Sequence, residues 1–456
     1  MTYTRIIKNW EHLATSELRR RALQIIEAGI IRVLPSTIMQ TAVSFERSSK
    51  TLSIKNDVFP VNGRLFIIGG GKASGLMAQT LENILGIDVI ESGLVAEKAN
   101  PREFKTHKIE IVQAGHPIPD NRGIKAVNGM LALKPKYAIT QNDLILCLLS
   151  GGGSALMPCP LEGITLYDKQ KTTSLLLSSG ADINEINVVR KHLSRTKGGR
   201  LAQYFSPARI ISLILSDVIG NDLSTIASGP TFPDSSTYQK AWAVLRKYNL
   251  WDKIPKRVVS ILELGLKREI AETPKSLSNA TNYIIGDNRL ALEAMAEKAR
   301  QLGFNPLIVT PEQTGETANV ARQRAGEILS GNYKGYDVLL MGGETTPHLP
   351  DKPGMGGRNQ HYAAVTLEQF ANYPGDWLSA SIGTDGSDFI PEVAGAIIDR
   401  QTLRGIENKK VDLKNHLERY DSYTLLNRIG NSLIFTGNTH TNVGDIILYL
   451  FKSSPA

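Results

Sequence analysis

The chain has 456 residues, 41% hydrophobic and 21% charged, with two cysteines and a net charge of +8. That length exceeds what one core usually organises, so two domains are expected, and the sparse cysteines exclude a disulfide framework and point to a reducing compartment. No apolar run approaches a membrane span, Met1 to Trp10 lacks the apolar core of a secretory signal, and no long Lys/Arg block or basic–aromatic alternation appears; these predict a soluble cytoplasmic protein with no membrane or nucleic-acid partner, its basic balance suited to small acidic ligands.

Residues up to about Arg47 read as helical, with Leu18, Ala22, Ile25 and Ile26 at helical spacing and Arg19-Arg20-Arg21 as a solvated face. Short apolar strands then alternate with amphipathic segments at Leu65–Ile68, Ser92–Val95, Ile109–Val112, Leu144–Leu149 and Ile210–Leu215. Such alternation predicts βαβ units and a mainly parallel sheet. Leu175 to Leu201 and Trp242 to Leu266 read as helices. A second run has strands at Tyr283–Ile285, Asn305–Val309 and Val338–Met341, with helices from about Asn288 to Leu302 and on to Leu329. Further strands are predicted at Leu378–Ile382, Ala396–Ile398, Ser432–Phe435 and Ile446–Leu450. The expected division is 1–270 for an N-terminal domain, 271–334 for a connecting segment and 335–456 for a C-terminal domain, with some later elements able to return to the first sheet.

Glycine turns at strand ends carry the chemistry. Ser150-Gly151-Gly152-Gly153-Ser154 follows the apolar run Leu144 to Leu149, a pattern that places several backbone N–H groups where a phosphate or carboxylate can bind. Gly69-Gly70-Gly71-Lys72-Ala73-Ser74-Gly75 repeats the design and adds a lysine, read either as a cation meeting developing negative charge or as an exposed residue of a structural turn. It is off by one from a dinucleotide fingerprint, only Glu97 is near the end of the next strand, and it is not a Walker A loop. Gly342-Gly343-Glu344 is a third such turn.

His116, in Ala-Gly-His-Pro-Ile-Pro-Asp, is read as a base, a substrate contact or a loop hydrogen-bonder. The cations Arg190, Lys191, Arg195, Lys197 and Arg200 are read as a solvated helix face, although some could face a phosphate. Asp217, just past a strand end, suits a base or a Mg²⁺ ligand, whereas Asp222 suits a helix cap. Gly356-Gly357-Arg358-Asn359-Gln360 delivers an arginine beside two amides, and Gly383-Thr384-Asp385-Gly386-Ser387-Asp388 adds two carboxylates, Asp385 and Asp388, in another turn. Together these are the parts of phosphoryl transfer, where positioning and charge neutralisation supply most of the catalysis.

In order along the chain, Gly-Gly-Lys-Ala around Lys72, Ala-Gly-His-Pro-Ile-Pro-Asp from Ala114, Ser-Gly-Gly-Gly-Ser-Ala from Ser150, Val-Arg-Lys-His-Leu-Ser from Val189, Ser-Asp-Val-Ile-Gly-Asn-Asp from Ser216, Ala-Ser-Gly-Pro-Thr from Ala227, Gly-Gly-Glu-Thr-Thr from Gly342 and Gly-Gly-Arg-Asn-Gln from Gly356 resemble the class II glycerate 2-kinases. The resemblance implies two α/β domains: a Rossmann-like N-terminal domain with a mainly parallel sheet, and a smaller C-terminal MOFRL domain. It also implies ATP-dependent phosphorylation of D-glycerate at the 2-hydroxyl, with Mg²⁺, in a cleft between them. Carried over, Lys72, Asp217 and Arg358 are the catalytic set, with Asp217 also the candidate metal ligand. Gly70, Gly71, His116, Ser150, Gly151, Gly152, Gly153, Ser154, Glu344, Asn359 and Asp385 are the nucleotide- or substrate-binding set. The sequence departs from the family in its C-terminal half, at Ser387 to Gly395 and at Asn438-Thr439-His440. An NAD(P)H-dependent hydroxypyruvate reductase and a non-catalytic binder of anionic ligands are the competing readings, and a homo-oligomer is left open.

Overall fold

Continuous apolar runs, rather than alternating ones, build the centre of the first sheet, as expected for strands covered on both faces. The computed structural model describes residues 5–98 and 100–451. They form two units: one spans Ile38–Ile285, and the other combines the chain up to Thr37 with that from Gly286 onward.

The Ile38–Ile285 unit begins with a small antiparallel sheet of β1 (Val43–Glu46), β2 (Thr51–Ile54) and β3 (Asp57–Pro60). Its main sheet contains β4 (Leu65–Gly70), β5 (Ile90–Glu97), β6 (Ile109–Gln113), β7 (Leu144–Ser150), β8 (Arg209–Leu215) and β9 (Ala280–Gly286). Their order is β6-β5-β4-β7-β8-β9, parallel from β6 through β8. Every residue of β4 and β7 is buried, and Phe66, Ile68, Cys147 and Leu149 join the core with Ile210 and Ile214.

The other unit contains β10 (Pro306–Gln313), β11 (Val338–Gly343), β12 (Trp377–Gly383), β13 (Val393–Asp399), β14 (Leu433–Phe435) and β15 (Asp445–Phe451). The order is β10-β11-β15-β12-β13-β14, with β10 and β11 parallel and every other pair antiparallel. The N-terminal helix Glu17–Arg32 packs on Asn288–Gln301 and on β15, so the start of the chain completes this unit.

Four expectations change. The chain divides at Ile285, and 286–334 belongs to the second unit instead of forming a connector. Residues 43–46 leave the expected helix because their backbone pairs with β2. The span 242–266 is two helices, Tyr238–Lys247 and Lys256–Leu266, separated where Asn249 adopts a left-handed backbone and Pro255 starts the second. Arg19 is 1% exposed and paired with Asp399 at 2.7 Å, while Arg20 and Arg21 stay outside on Glu17. No single helix among the described residues is long and apolar enough to cross a membrane.

Candidate active site

In the sheet of the Ile38–Ile285 unit, the chain runs outward from β4 to β5 and β6, then returns to β7 and runs the other way. The order therefore reverses at the β4–β7 junction, where open α/β sheets collect ligands beyond the strands' carboxyl ends. Register makes those ends level: Gly70 lies opposite Leu149, and Leu149 opposite Ile214. Lys72, the Gly151–Gly153 turn and half-buried Asp217 all lie just past that line.

The two glycine loops are fastened to each other. Lys72 N–H donates to the Gly151 carbonyl at 2.8 Å, and Ala73 N–H donates to Ser150 Oγ at 3.0 Å. Ser150 is fully buried, so its hydroxyl joins the loops instead of facing a ligand. Gly70 and Gly153 are packing positions as well, since a Cβ on Gly153 would lie 2.7 Å from the Gly70 carbonyl oxygen. A Cβ on Gly71 would lie 2.0 Å from Ser150 Oγ. Gly152 has a left-handed backbone (φ 79°), and a Cβ there would lie 2.8 Å from His116 Cδ2 and 3.2 Å from Lys72 Cγ. The absent side chain of Gly152 is the space on which the lysine and the histidine converge.

Glu97, fully buried at the end of β5, accepts from Gly75 N–H at 2.7 Å. The first turn of the helix Ser74–Leu85 thus already holds a carboxylate where a dinucleotide fold would hold pyrophosphate. The off-by-one glycine spacing has a structural counterpart.

Behind the loop, Ser154 Oγ is 2.6 Å from Ser228 Oγ, which donates to Asn187 Oδ1 at 3.0 Å. Ala227, Ser228 and Gly229 are three successive residues with left-handed backbone. Lys197 Nζ donates to Ser154 O at 3.0 Å and Ala227 O at 3.3 Å, tying that turn to the glycine loop. The cationic run is therefore a solvated face only at Arg195: Arg190 is half-buried, Lys191, Lys197 and Arg200 are buried, and Lys191 pairs with Asp234 at 3.2 Å. Helical spacing gave no sign of this, because the burying surface comes from the distant segments around Ser154, Ala227 and Asp234.

The second unit assembles the remaining candidates. Arg358 opens the helix Arg358–Gln369 and grips Asp445 with Nε (2.7 Å) and Nη2 (3.1 Å), while Nη1 donates to Glu344 at 2.6 Å. Asn359 Nδ2 donates to Asp445 at 3.0 Å, and its Oδ1 accepts from Ser381 Oγ. A Cβ on Gly383 would lie 3.5 Å from Asp385 Oδ1 and 3.6 Å from Asn359 Nδ2, so Asp385 borders the same group.

Buried Asp388 accepts the Asn359 and Gln360 N–H groups at 3.0 and 2.8 Å, capping that helix. Burial pushes its carboxyl up to about 6 although those amides favour the ionised form. The Gly342-Gly343 turn is no anion cradle: Glu344 N–H goes to Gln313 O at 2.9 Å, and Asn288 and Gln313 fill the space that side chains at 342 and 343 would need. Asp388, read from the sequence as one of two carboxylates in a turn, proves to be this buried cap. Asp445 escaped the sequence reading; the one local signal for it was an acid directly ahead of a predicted strand.

Residues 21–263 match a domain of unknown function, DUF4147, and residues 337–445 match the MOFRL family. The chain is similar to the glycerate 2-kinase of Pyrococcus horikoshii (36% identity, covering 96% of this chain and 98% of that one) and to the D-glycerate 2-kinase of Thermotoga maritima (37%, 95% and 98%). A crystal structure of the Thermotoga maritima glycerate kinase superposes with a TM-score of 0.82 at 36% identity, covering 95% of this chain and 99% of that chain.

Proposed function

Because this chain belongs to the glycerate 2-kinase family, with its DUF4147 and MOFRL regions, we propose that it transfers the γ-phosphoryl group of ATP to the 2-hydroxyl of D-glycerate. The observation that carries the reading is the convergence of Lys72 and His116 on Gly152 at the switch point of a parallel sheet. As the bond from the glycerate oxygen to phosphorus forms and the bond to the ADP oxygen breaks, charge develops on the phosphoryl oxygens. Lys72, its backbone held by the hydrogen bond to Gly151, is the cation that meets that charge in this reading. His116 supplies a second polar contact on the same side of the glycine loop.

Asp217 is the carboxylate of this rim, placed to take the hydroxyl proton or to hold Mg²⁺ through water. Among the described residues no group of three or more His, Cys, Asp or Glu forms a metal cage. That fits Mg²⁺ in phosphoryl transfer, which uses one or two protein carboxylates and completes its shell with water and substrate phosphates. When bound, Mg²⁺ would neutralise phosphate charge. In the second unit, Arg358 held by Asp445 and Glu344 is the candidate for paired hydrogen bonds to a carboxylate or phosphate. A cytoplasmic location is part of the proposal, consistent with Cys147 and Cys159 both being free and buried.

Two parallel assays test it. ADP and 2-phosphoglycerate should form from D-glycerate and Mg-ATP, and NADH or NADPH should persist with hydroxypyruvate. Cofactor oxidation without ADP release would replace the kinase by the reductase. Silence in both would leave a binder of anionic ligands.

A further inference from the structure

Beside the glycine loop lies a group of cations for which no ion pair is formed among the described residues. Lys169, on the helix Leu166–Ser178, is 8% exposed, and its Nζ is buried with no hydrogen-bond partner among the described residues. Lys197 is 2% exposed and spends its Nζ on two carbonyl oxygens, which leave its charge unneutralised. Arg190 is half-buried in the last turn of the helix Ile183–His192. Burial lowers its pKa with no offsetting carboxylate among the described residues, whereas its neighbour Lys191 has Asp234.

The three are close enough to oppose one another's charge. Burial, then Arg190, brings Lys169 down to about 7, and burial, Arg190 and Lys169 bring Lys197 well below the usual lysine range. Among the described residues, the acidic group acting on either lysine is the Cys159 thiol, itself pushed up by burial. Buried charges are ordinarily paired, and a set of like charges left unpaired is costly. Asn187 stands one turn before Arg190, and the chain Asn187–Ser228–Ser154 leads from that helix to the glycine loop.

We propose that Arg190, backed by Lys169 and Lys197, receives a phosphate group of the bound ligand, so that the missing counter-charge is the ligand's own. The half-buried guanidinium makes the contact, and the two buried lysines act through their field as positioning residues. This deepens the kinase reading by naming where a phosphate lies, but its test is binding, not turnover, so either can fail alone.

The experiment measures ATP, 2-phosphoglycerate, inorganic phosphate and D-glycerate binding by calorimetry to the full chain and to Arg190→Gln and Lys169→Met. Arg190→Gln should weaken the phosphate-bearing ligands at least 10-fold and leave D-glycerate unchanged. An effect on ATP alone assigns the site to the nucleotide, and one on 2-phosphoglycerate alone assigns it to the product. Lys169→Met should raise the Tm of the free protein, because it removes an unpaired buried charge, and should shrink the Tm gain on adding phosphate. A structural lysine would give a lower Tm instead. Unchanged affinity for all three phosphate ligands in Arg190→Gln, or a lower Tm in free Lys169→Met, overturns the proposal.

Discussion

Replacing Gly152 by alanine tests whether the glycine is there to let Lys72 and His116 converge. Two costs follow from the structure. The left-handed backbone disfavours any Cβ by roughly 1–2 kcal/mol. The new atom would also sit 2.8 Å from His116 Cδ2 and 3.2 Å from Lys72 Cγ, against the 3.4 Å at which ordinary contact begins, so the histidine must retreat by about 0.6 Å. A displacement approaching 1 Å in a catalytic constellation costs on the order of 100-fold, so Gly152→Ala should lower kcat by roughly 10- to 100-fold. Gly180→Ala is the control, since Gly180 shares the left-handed backbone (φ 77°) with nothing within 4 Å. Urea unfolding should show a similar stability loss in both variants, while the D-glycerate-dependent release of ADP falls only in Gly152→Ala. Wild-type kcat in Gly152→Ala, or an equal activity loss in both, would refute the reasoning.

Lys72→Ala should cut turnover by about 100-fold or more, the scale of one preorganised electrostatic contact, and near-normal kcat and KM would remove it from the mechanism. Asp217→Asn should reduce kcat strongly with an unchanged Tm; recovery at raised Mg²⁺ favours the metal role, persistent loss the proton-accepting one, and wild-type kinetics neither. Arg358→Lys keeps the charge but cannot hold both Asp445 oxygens and Glu344, so impaired activity and a loss of about 1–3 kcal/mol by denaturant unfolding are expected, and full activity would return Arg358 to an ordinary surface role. His361, buried and stacked 3.9 Å from Tyr420, has its pKa brought down to about 4 by burial. Its folded pKa lies below its unfolded one, so its contribution is intact above the unfolded value near 6.5 and is lost as pH falls toward 4, by about 2 kcal/mol at pH 5. Buried Asp388, pushed up to about 6, contributes with the opposite slope, so the wild-type minus His361→Gln difference at pH 7.5 and 5.0 is the quantity to measure, and a pH-independent difference would contradict it.

Unbroken apolar runs leading into glycine turns were legible at Leu65–Ile68 and Leu144–Leu149, because a strand buried on both faces favours apolar side chains throughout and a close loop tolerates no Cβ. Those local rules located Lys72, the glycine loop and Asp217, and the ordered motifs added the family. Tertiary structure decided which loop atoms are available. Ser150 reads as a ligand contact until the β4 and β7 loops meet and its hydroxyl goes to Ala73.

Arg19 reads as solvated until the N-terminal helix docks on an element nearly four hundred residues away and meets Asp399. Asp445 is the plainest case. It stands at the start of its strand, where a parallel sheet would carry it to the end opposite the glycine turns. Because β15 runs antiparallel to β11 and β12, Asp445 lies instead in register with Gly343 and Gly383, beside Arg358. Strand direction is set by which neighbours bury the strand's two faces, and that choice is made by contacts distant in sequence.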